Sequence, residues 1–321
     1  MKIIKNLASE KVAKRYRALG TVIDLAVYGT TDERLLDEAF GLIKHYEDMF
    51  TVNRENSELM DVNHAAGLVP VQVSDSVYQL TKIAIEKSRE HFGFNAAIGP
   101  LVKLWHIGFA DAKLPMNSEI IERLALINPD EVQLDDQNFT IFLSKKGMEI
   151  DLGGIAKGYI ADRVQDLWRA RGISSGIINL GGNLVLMGKA PHQSNKKWRV
   201  GVRNPLNQTG ETIAQIMTDA SSVVTSGIAE RHFELEGKSY HHIIDAETGY
   251  PHETNIASVT VLTPLSIDGE IETTRLFFAS QVPENYAYGV IFVYRDKSIE
   301  LVNIDPKNIH ITNTEFYLKG E

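Results

Sequence analysis

The chain predicts an α+β fold of mainly antiparallel sheets flanked by helices, in two closely joined halves. Short strands rich in β-branched residues follow one another with turn residues between them. Helical periodicity surfaces at intervals between these strands instead of alternating strictly with them. No linker-like or low-complexity segment and no fixed repeat of 20 to 50 residues interrupts the pattern, so the 321 residues read as one domain, 1–321.

The elements follow in order. Leu19 to Tyr28 alternates as a strand. Thr30 and Glu33 suggest a capping box for a helix to about Phe50, with Leu36, Phe40, Ile43 and Tyr46 on its buried face. Phe50 to Leu59 is polar enough for a loop. Val69 to Val73 reads as a short strand, and Ser74 caps a helix through about Glu90. Phe94 to Trp105 carries Gly99-Pro100 and turns back towards the core. A helix near Glu119 to Ile127 stops at Pro129. Val132–Leu134, Thr140–Leu143 and Gly147–Leu152 then read as antiparallel strands.

Further on, Gly176 to Met187 is a strand pair broken at Gly181-Gly182. Short strands follow at Trp198–Val202, Ile213–Met217, Ser222–Thr225, His232–Leu235, His241–Ile244 and Ser258–Leu262. Gly269 to Phe278 is a helix, and Val290 to Val302 a hairpin turning at Asp296-Lys297.

Composition narrows the function. A hydrophobic share of 43% supports a sizeable core. A net charge of -9 without a dense basic patch argues against nucleic acid as partner. No run of 18 apolar residues is present, so no spanning helix is expected. The absence of cysteine removes disulfides, thiol nucleophiles, thiolate metal sites and lipidated cysteine. The start, MKIIKNLASEKVAKRYRALG, is basic like a signal peptide but lacks its apolar region. A cytoplasmic location is therefore expected; an extracytoplasmic one is the alternative if a signal or lipid anchor has been trimmed away.

The most informative stretch is Glu149 to Trp168, EIDLGGIAKGYIADRVQDLW. An apolar strand reaches Gly153-Gly154 and enters a helix whose buried face is Ile155, Tyr159, Ile160, Val164, Leu167 and Trp168. Free N–H groups at that start, the helix dipole and Lys157 suit a phosphate. Asp151 can cap the turn or hold a hydroxyl group. The plainer alternative is a tight junction with a surface lysine. The GxxxxGK[ST] of a P-loop is absent.

Other clusters are weaker. His241 and His242 precede Asp245, but neighbours on a strand face opposite ways, so at most one faces a given pocket. Asp268-Gly269-Glu270 ahead of Thr274 places an acid and a hydroxyl four residues apart on one helix face, hard oxygen donors that suit Mg²⁺; a solvated helix start is the alternative. Thr225-Ser226-Gly227 lacks the GxSxG of a nucleophile elbow and reads as a turn.

The pieces gain meaning from their order: LGT, FxxxRxxSEL, FNxxxGPLVxLW, DLGGIAKGYIAD, INLGGNL, WRVGVRNP, TSG, YHHIIDAETGYP, then an acid four residues before a Thr. From about Leu19 to Phe278 this set resembles the FAD:protein FMN transferases of the ApbE family, long labelled thiamine-biosynthesis lipoproteins. The resemblance implies an ApbE-like fold and an enzyme that moves the FMN half of FAD onto a Thr hydroxyl of an acceptor flavoprotein. AMP would leave and a phosphoester remain, with Mg²⁺ as metal. It also implies that the backbone carbonyl of Ala156, Glu270 and Thr274 hold the metal. FAD would lie against Leu19, Gly93, Phe94, Asn95, Asp151, Gly153, Lys157 and Ile244, with His242 beside the reacting phosphate. Lys157 would stabilise charge, and His242 or Glu270 would accept the Thr proton.

Three positions depart from the family pattern. Glu270 stands for Asp, with a shifted metal, a more weakly bound one or a share taken by Asp268 as the expected consequences; Leu19 stands for Met; Asn95 stands for Asp. An FAD pyrophosphatase giving FMN and AMP, and a non-catalytic FAD-binding protein, are the competing expectations.

Overall fold

The structure, a computed structural model, describes residues 10–207 and 209–320. Strands β1 (Lys11–Ala18) and β2 (Thr21–Tyr28) form a hairpin through Leu19-Gly20. Both turn residues have positive φ, 54° and 66°, the backbone that matches hairpin twist. Leu19 is thus a turn residue, not the start of a strand. β1 went unpredicted because its exposed lysines and arginines look like a tail; on an edge strand they guard against edge-to-edge pairing.

Helix α1 (Arg34–Phe50) follows, without the expected box. Thr30 Oγ1 accepts the Asp32 N–H instead, and the Asp32 carboxylate takes the Arg34 N–H. Leu36, Ile43 and Tyr46 are buried as expected, whereas Phe40 is half-buried and stacks on Tyr16. The expected loop ends in a short helix, α2 (Glu58–His64), capped by Ser57. Then come β3 (Val71–Gln72), α3 (Asp75–Ser88), α4 (Gly99–Trp105), α5 (Asn117–Leu124), β4 (Val132–Asp135) and β5 (Thr140–Leu143). Ser74 precedes α3, but its hydroxyl makes no capping bond.

Residues 148–152 form no strand, although Met148, Ile150 and Leu152 are buried: a single bridge joins Glu149 to Ile98. Asn63 takes the place of a neighbouring strand. Its side chain accepts the Ile150 N–H (2.8 Å) and donates to the Ile150 carbonyl (3.0 Å). The chain then enters α6 (Ala156–Ala170).

The remaining elements are β6 (Gly176–Leu180), β7 (Asn183–Met187), β8 (Trp198–Arg203), β9 (Thr212–Thr218), β10 (Ser221–Gly227), β11 (His232–Leu235), β12 (Lys238–His241), β13 (Ile256–Thr263), α7 (Ser266–Ala279), β14 (Gly289–Tyr294), β15 (Ser298–Val302), β16 (Ile309–Ile311) and β17 (Tyr317–Leu318). The predicted strand at His241–Ile244 is displaced: β12 ends at His241. Ile244 makes only a bridge to Pro251, across a turn closed by Asp245 and Gly249.

Strands from both halves of the chain enter one sheet, in the order β1-β2-β6-β7-β10-β13-β14-β15-β17. Its neighbours are antiparallel except β15 with β17. Alternation sorts its residues onto two faces. Ile23, Leu25, Ile178, Leu180 and Val185 pack against α1 and α6, and Val259 and Val261 against Leu276 and Phe277 of α7. Leu186, Val223, Ile291 and Val293 face the other way, onto Val200, Val202 and Ile216 of the β16-β9-β8 sheet. Helices therefore cover one face and a small sheet part of the other. The starts of α6 and α7 meet on the helical side, where β7 begins.

Candidate active site

Asp162, buried in the middle of α6, points at the start of α7. Its two carboxylate oxygens accept the N–H groups of Ser266 (2.8 Å) and Ile267 (3.0 Å). These are donors that a helix leaves unpaired at its first turn, so one helix caps the other. Burial pushes the Asp162 carboxyl above the usual range despite those two bonds. Ser266 Oγ donates to Asn183 Oδ1 (2.7 Å), and Asn183 Nδ2 donates to Glu270 Oε1 (2.9 Å). Lys157 Nζ lies 3.3 Å from the same Glu270 oxygen. The helices approach closely because Gly158 has no side chain: a Cβ there would lie 2.6 Å from the Ser266 carbonyl oxygen and 2.8 Å from Glu270 Cγ.

The start of α6 is organised differently. Asp151 Oδ1 accepts the Gly153 N–H (2.7 Å), and the Leu152 carbonyl accepts those of Ile155 and Ala156. The N–H groups of Gly154, Lys157 and Gly158 donate to nothing among the described residues. Asp151 therefore caps part of the turn and leaves the rest of it open. Loss of water raises the Asp151 carboxyl above its usual range, against the Gly153 bond and the Arg231 charge.

The two histidines diverge where β12 ends. His241 is buried, its Nε2–H directed at the His252 carbonyl (3.0 Å) and its ring against Phe277. The His242 Nδ1–H donates to the Arg231 carbonyl (3.2 Å), so its Nε2 carries the lone pair. Burial and then the Arg231 charge hold His242 down to about 4, and burial does the same to His241. Both are neutral at pH 7.

A cleft of about 360 Å³ lies between β10 and β8, with Asn179, Gly182, Arg203 and Glu230 at its lining.

The whole arrangement can now be set beside known proteins. A model of the ApbE family matches residues 19–286. An FAD:protein FMN transferase of Klebsiella pneumoniae (strain 342) is 47% identical over 260 residues, 81% of this chain and 79% of the relative. One from Treponema pallidum (strain Nichols) is 32% identical over 324 residues, 94% of this chain and 89% of the relative.

The chain belongs to the ApbE family. The crystal structure of the ApbE protein from Thermotoga maritima superposes with a TM-score of 0.83 at 26% identity, covering 92% of this chain and 97% of that one.

Against that membership, the residues expected at the site fall into three groups. Lys157 and Glu270 meet on facing turns of α6 and α7; Thr274, one turn further along α7, donates its Oγ1 to the Glu270 carbonyl (3.2 Å), and Ala156 is the first residue of α6. Phe94 and Gly93 stand nearby: Phe94 approaches Gly154, and a Cβ at Gly93 would come within 2.6 Å of the Phe278 ring. Asn95 and Ile244 are occupied with structure. Asn95 donates to the Ile127 carbonyl (2.9 Å) and accepts the Ala97 N–H (2.9 Å), while Ile244 packs beside Leu101, Trp105 and Ile120. An Asp at 95 could not make the first of those bonds. Asp268 lies two residues from Glu270 on the helix, where side chains point to different sides, and it senses Glu272 and Lys87.

Sequence reasoning missed Asp162, Asn183 and Arg231 as site residues. Asp162 and Asn183 close two of the ApbE-like motifs, YIAD and INLGGN, so the motifs themselves were the signal. Arg231 gave none.

Proposed function

We propose that the chain transfers the FMN half of FAD onto the hydroxyl of a Thr in an acceptor flavoprotein, leaving a phosphoester and releasing AMP. Family membership carries the reaction. The open start of α6, with Lys157 and Glu270 beside it, is the observation that supports this reading. The FAD diphosphate would rest on the free N–H groups of Gly154, Lys157 and Gly158. Lys157 would add its charge to the phosphates as transfer proceeds.

The Thr oxygen attacks the phosphorus of the FMN half, the bond to the AMP phosphate breaks, and the Thr proton passes to a base. His242 suits that task better than Glu270. Its Nε2 lone pair is fixed by the Nδ1–H bond and is unprotonated at pH 7, whereas Glu270 Oε1 already serves Asn183 and Lys157. Leu19, Gly93, Phe94, Asn95, Asp151, Gly153 and Ile244 would complete the FAD surface.

The residues fit Mg²⁺. The Ala156 carbonyl, Glu270 and Thr274 are hard oxygen donors, and Glu270 Oε2 accepts no hydrogen bond among the described residues. Among those residues no group of three or more His, Asp or Glu side chains is clustered for a metal, and this donor set needs only one acid. When bound, Mg²⁺ would neutralise phosphate charge.

No helix among the described residues is long and apolar enough to cross a membrane. A single domain over residues 1–321, working in the cytoplasm on a flavoprotein there, is the reading proposed; an exported protein with a membrane redox subunit as acceptor is its alternative. Incubation with FAD, Mg²⁺ and an acceptor domain should give covalent, fluorescent flavin on the acceptor and equimolar AMP. Free FMN and AMP with unlabelled acceptor would instead identify a pyrophosphatase, and intact FAD a carrier.

A further inference from the structure

We propose that Arg231 is a nucleotide-binding residue whose guanidinium grips the FAD diphosphate beside the open start of α6. The inference rests on the flavin-transfer reading and extends it to a residue outside the expected set.

Arg231 sits between β10 and β11, and its guanidinium makes no hydrogen bond or ion pair among the described residues. Arg275, by contrast, holds both Glu90 and Glu272. The freedom of Arg231 is built in. Its stem crosses Gly108, where a Cβ would lie 2.9 Å from Arg231 Cδ and 3.3 Å from Cγ, and where φ is 98°. Only glycine leaves that space and takes that backbone readily. The other end reaches the β1–β2 turn: Nη2 lies 3.9 Å from where a Cβ at Gly20 would be.

The fork is thus held between two glycine turns, and its charge is felt at Asp151, His242 and Glu230. Neither carboxylate comes within ion-pair distance of it. A planar, permanently charged fork kept clear of carboxylates, with its charge felt at the Asp151 that caps the α6 turn, matches two phosphate oxygens better than an ammonium does. The main chain of the same residue orients His242, through the Arg231 carbonyl. Replacing the side chain leaves that carbonyl in place, so grip and base can be separated.

The test compares the parent protein with Arg231→Gln and Arg231→Lys. Calorimetry measures ADP binding, and flavin fluorescence measures FAD and riboflavin, the last a flavin without phosphate. Arg231→Gln should weaken ADP and FAD by roughly 10- to 100-fold, the range for hydrogen bonds to charged groups. Riboflavin affinity and the ligand-free melting temperature should not move, and Arg231→Lys should recover part of the loss. FAD and ADP affinities within twofold of the parent would overturn the proposal. So would an equal loss for riboflavin, which would make Arg231 a support for the loop. A parent protein that binds neither FAD nor ADP would overturn the flavin-transfer reading as well.

Discussion

Helices α6 and α7 begin side by side, and their first turns are treated in opposite ways. α7 is closed: both oxygens of a buried Asp162 take its leading N–H groups. α6 is left open, with Asp151 and Leu152 satisfying the outer donors while Gly154, Lys157 and Gly158 keep theirs free. An open helix start is left to water or to an anion, and the helix dipole favours the anion. The closed start explains how the open one can exist. Asp162 and Gly158 lock α6 to α7 and carry Glu270 to Lys157, so the unsatisfied turn rests on a rigid neighbour. The histidines differ too: His241 is buried with its ring against Phe277, while His242 is half-buried, and each donates to a backbone carbonyl.

The largest effect should come where the two starts touch. Glu270→Ala removes the acid shared by Lys157 and Asn183, and transfer to an acceptor should fall by roughly 100- to 1000-fold, as for loss of one charge-stabilising group. Acceptor fluorescence after gel separation measures it; a rate within threefold of the parent would remove Glu270 from the site.

Next comes the cap. Asp162→Ala leaves two buried N–H groups of α7 without partners and should cost about 2–4 kcal/mol in urea unfolding. Asp151→Ala, on the open side, should cost about 1 kcal/mol. Equal losses would erase the distinction between the two starts.

The histidines supply a test by pH. His241 and His242 titrate at about 4 in the folded chain against 6.5 when unperturbed, so the unfolded chain binds extra protons between those values. Their contribution to stability should therefore be constant above pH 6.5 and fall as pH drops from 6.5 to 4. The buried His241 alone should contribute up to about 3 kcal/mol. His241→Gln should flatten that slope, and an unchanged slope would show that His241 is not held neutral.

A further effect concerns binding alone. Lys157→Ala should weaken FAD by about 1–3 kcal/mol in calorimetry, and an unchanged dissociation constant would return Lys157 to the surface.

What the sequence disclosed was local. Gly153-Gly154 ahead of a helical period, and Glu270 four residues before Thr274, are visible because each lies within one element. The cap from Asp162 to Ser266 spans 104 residues, and no local pattern announces it. The glycine that frees Arg231 lies at position 108, on another loop. Residues 147–152 have the apolar alternation of a strand, yet their partner is the Asn63 side chain, which periodicity cannot reveal. β1 was hidden by charges that suit an exposed edge as well as a tail.

The contrast between the two helix starts can be read amide by amide. Titrating ¹⁵N-labelled protein with ADP and following backbone amide shifts should move Gly154, Lys157 and Gly158 strongly while Ser266 and Ile267 stay in place. Shifts of equal size at both starts, or none at Gly154, would contradict an anion seat at the opening of α6.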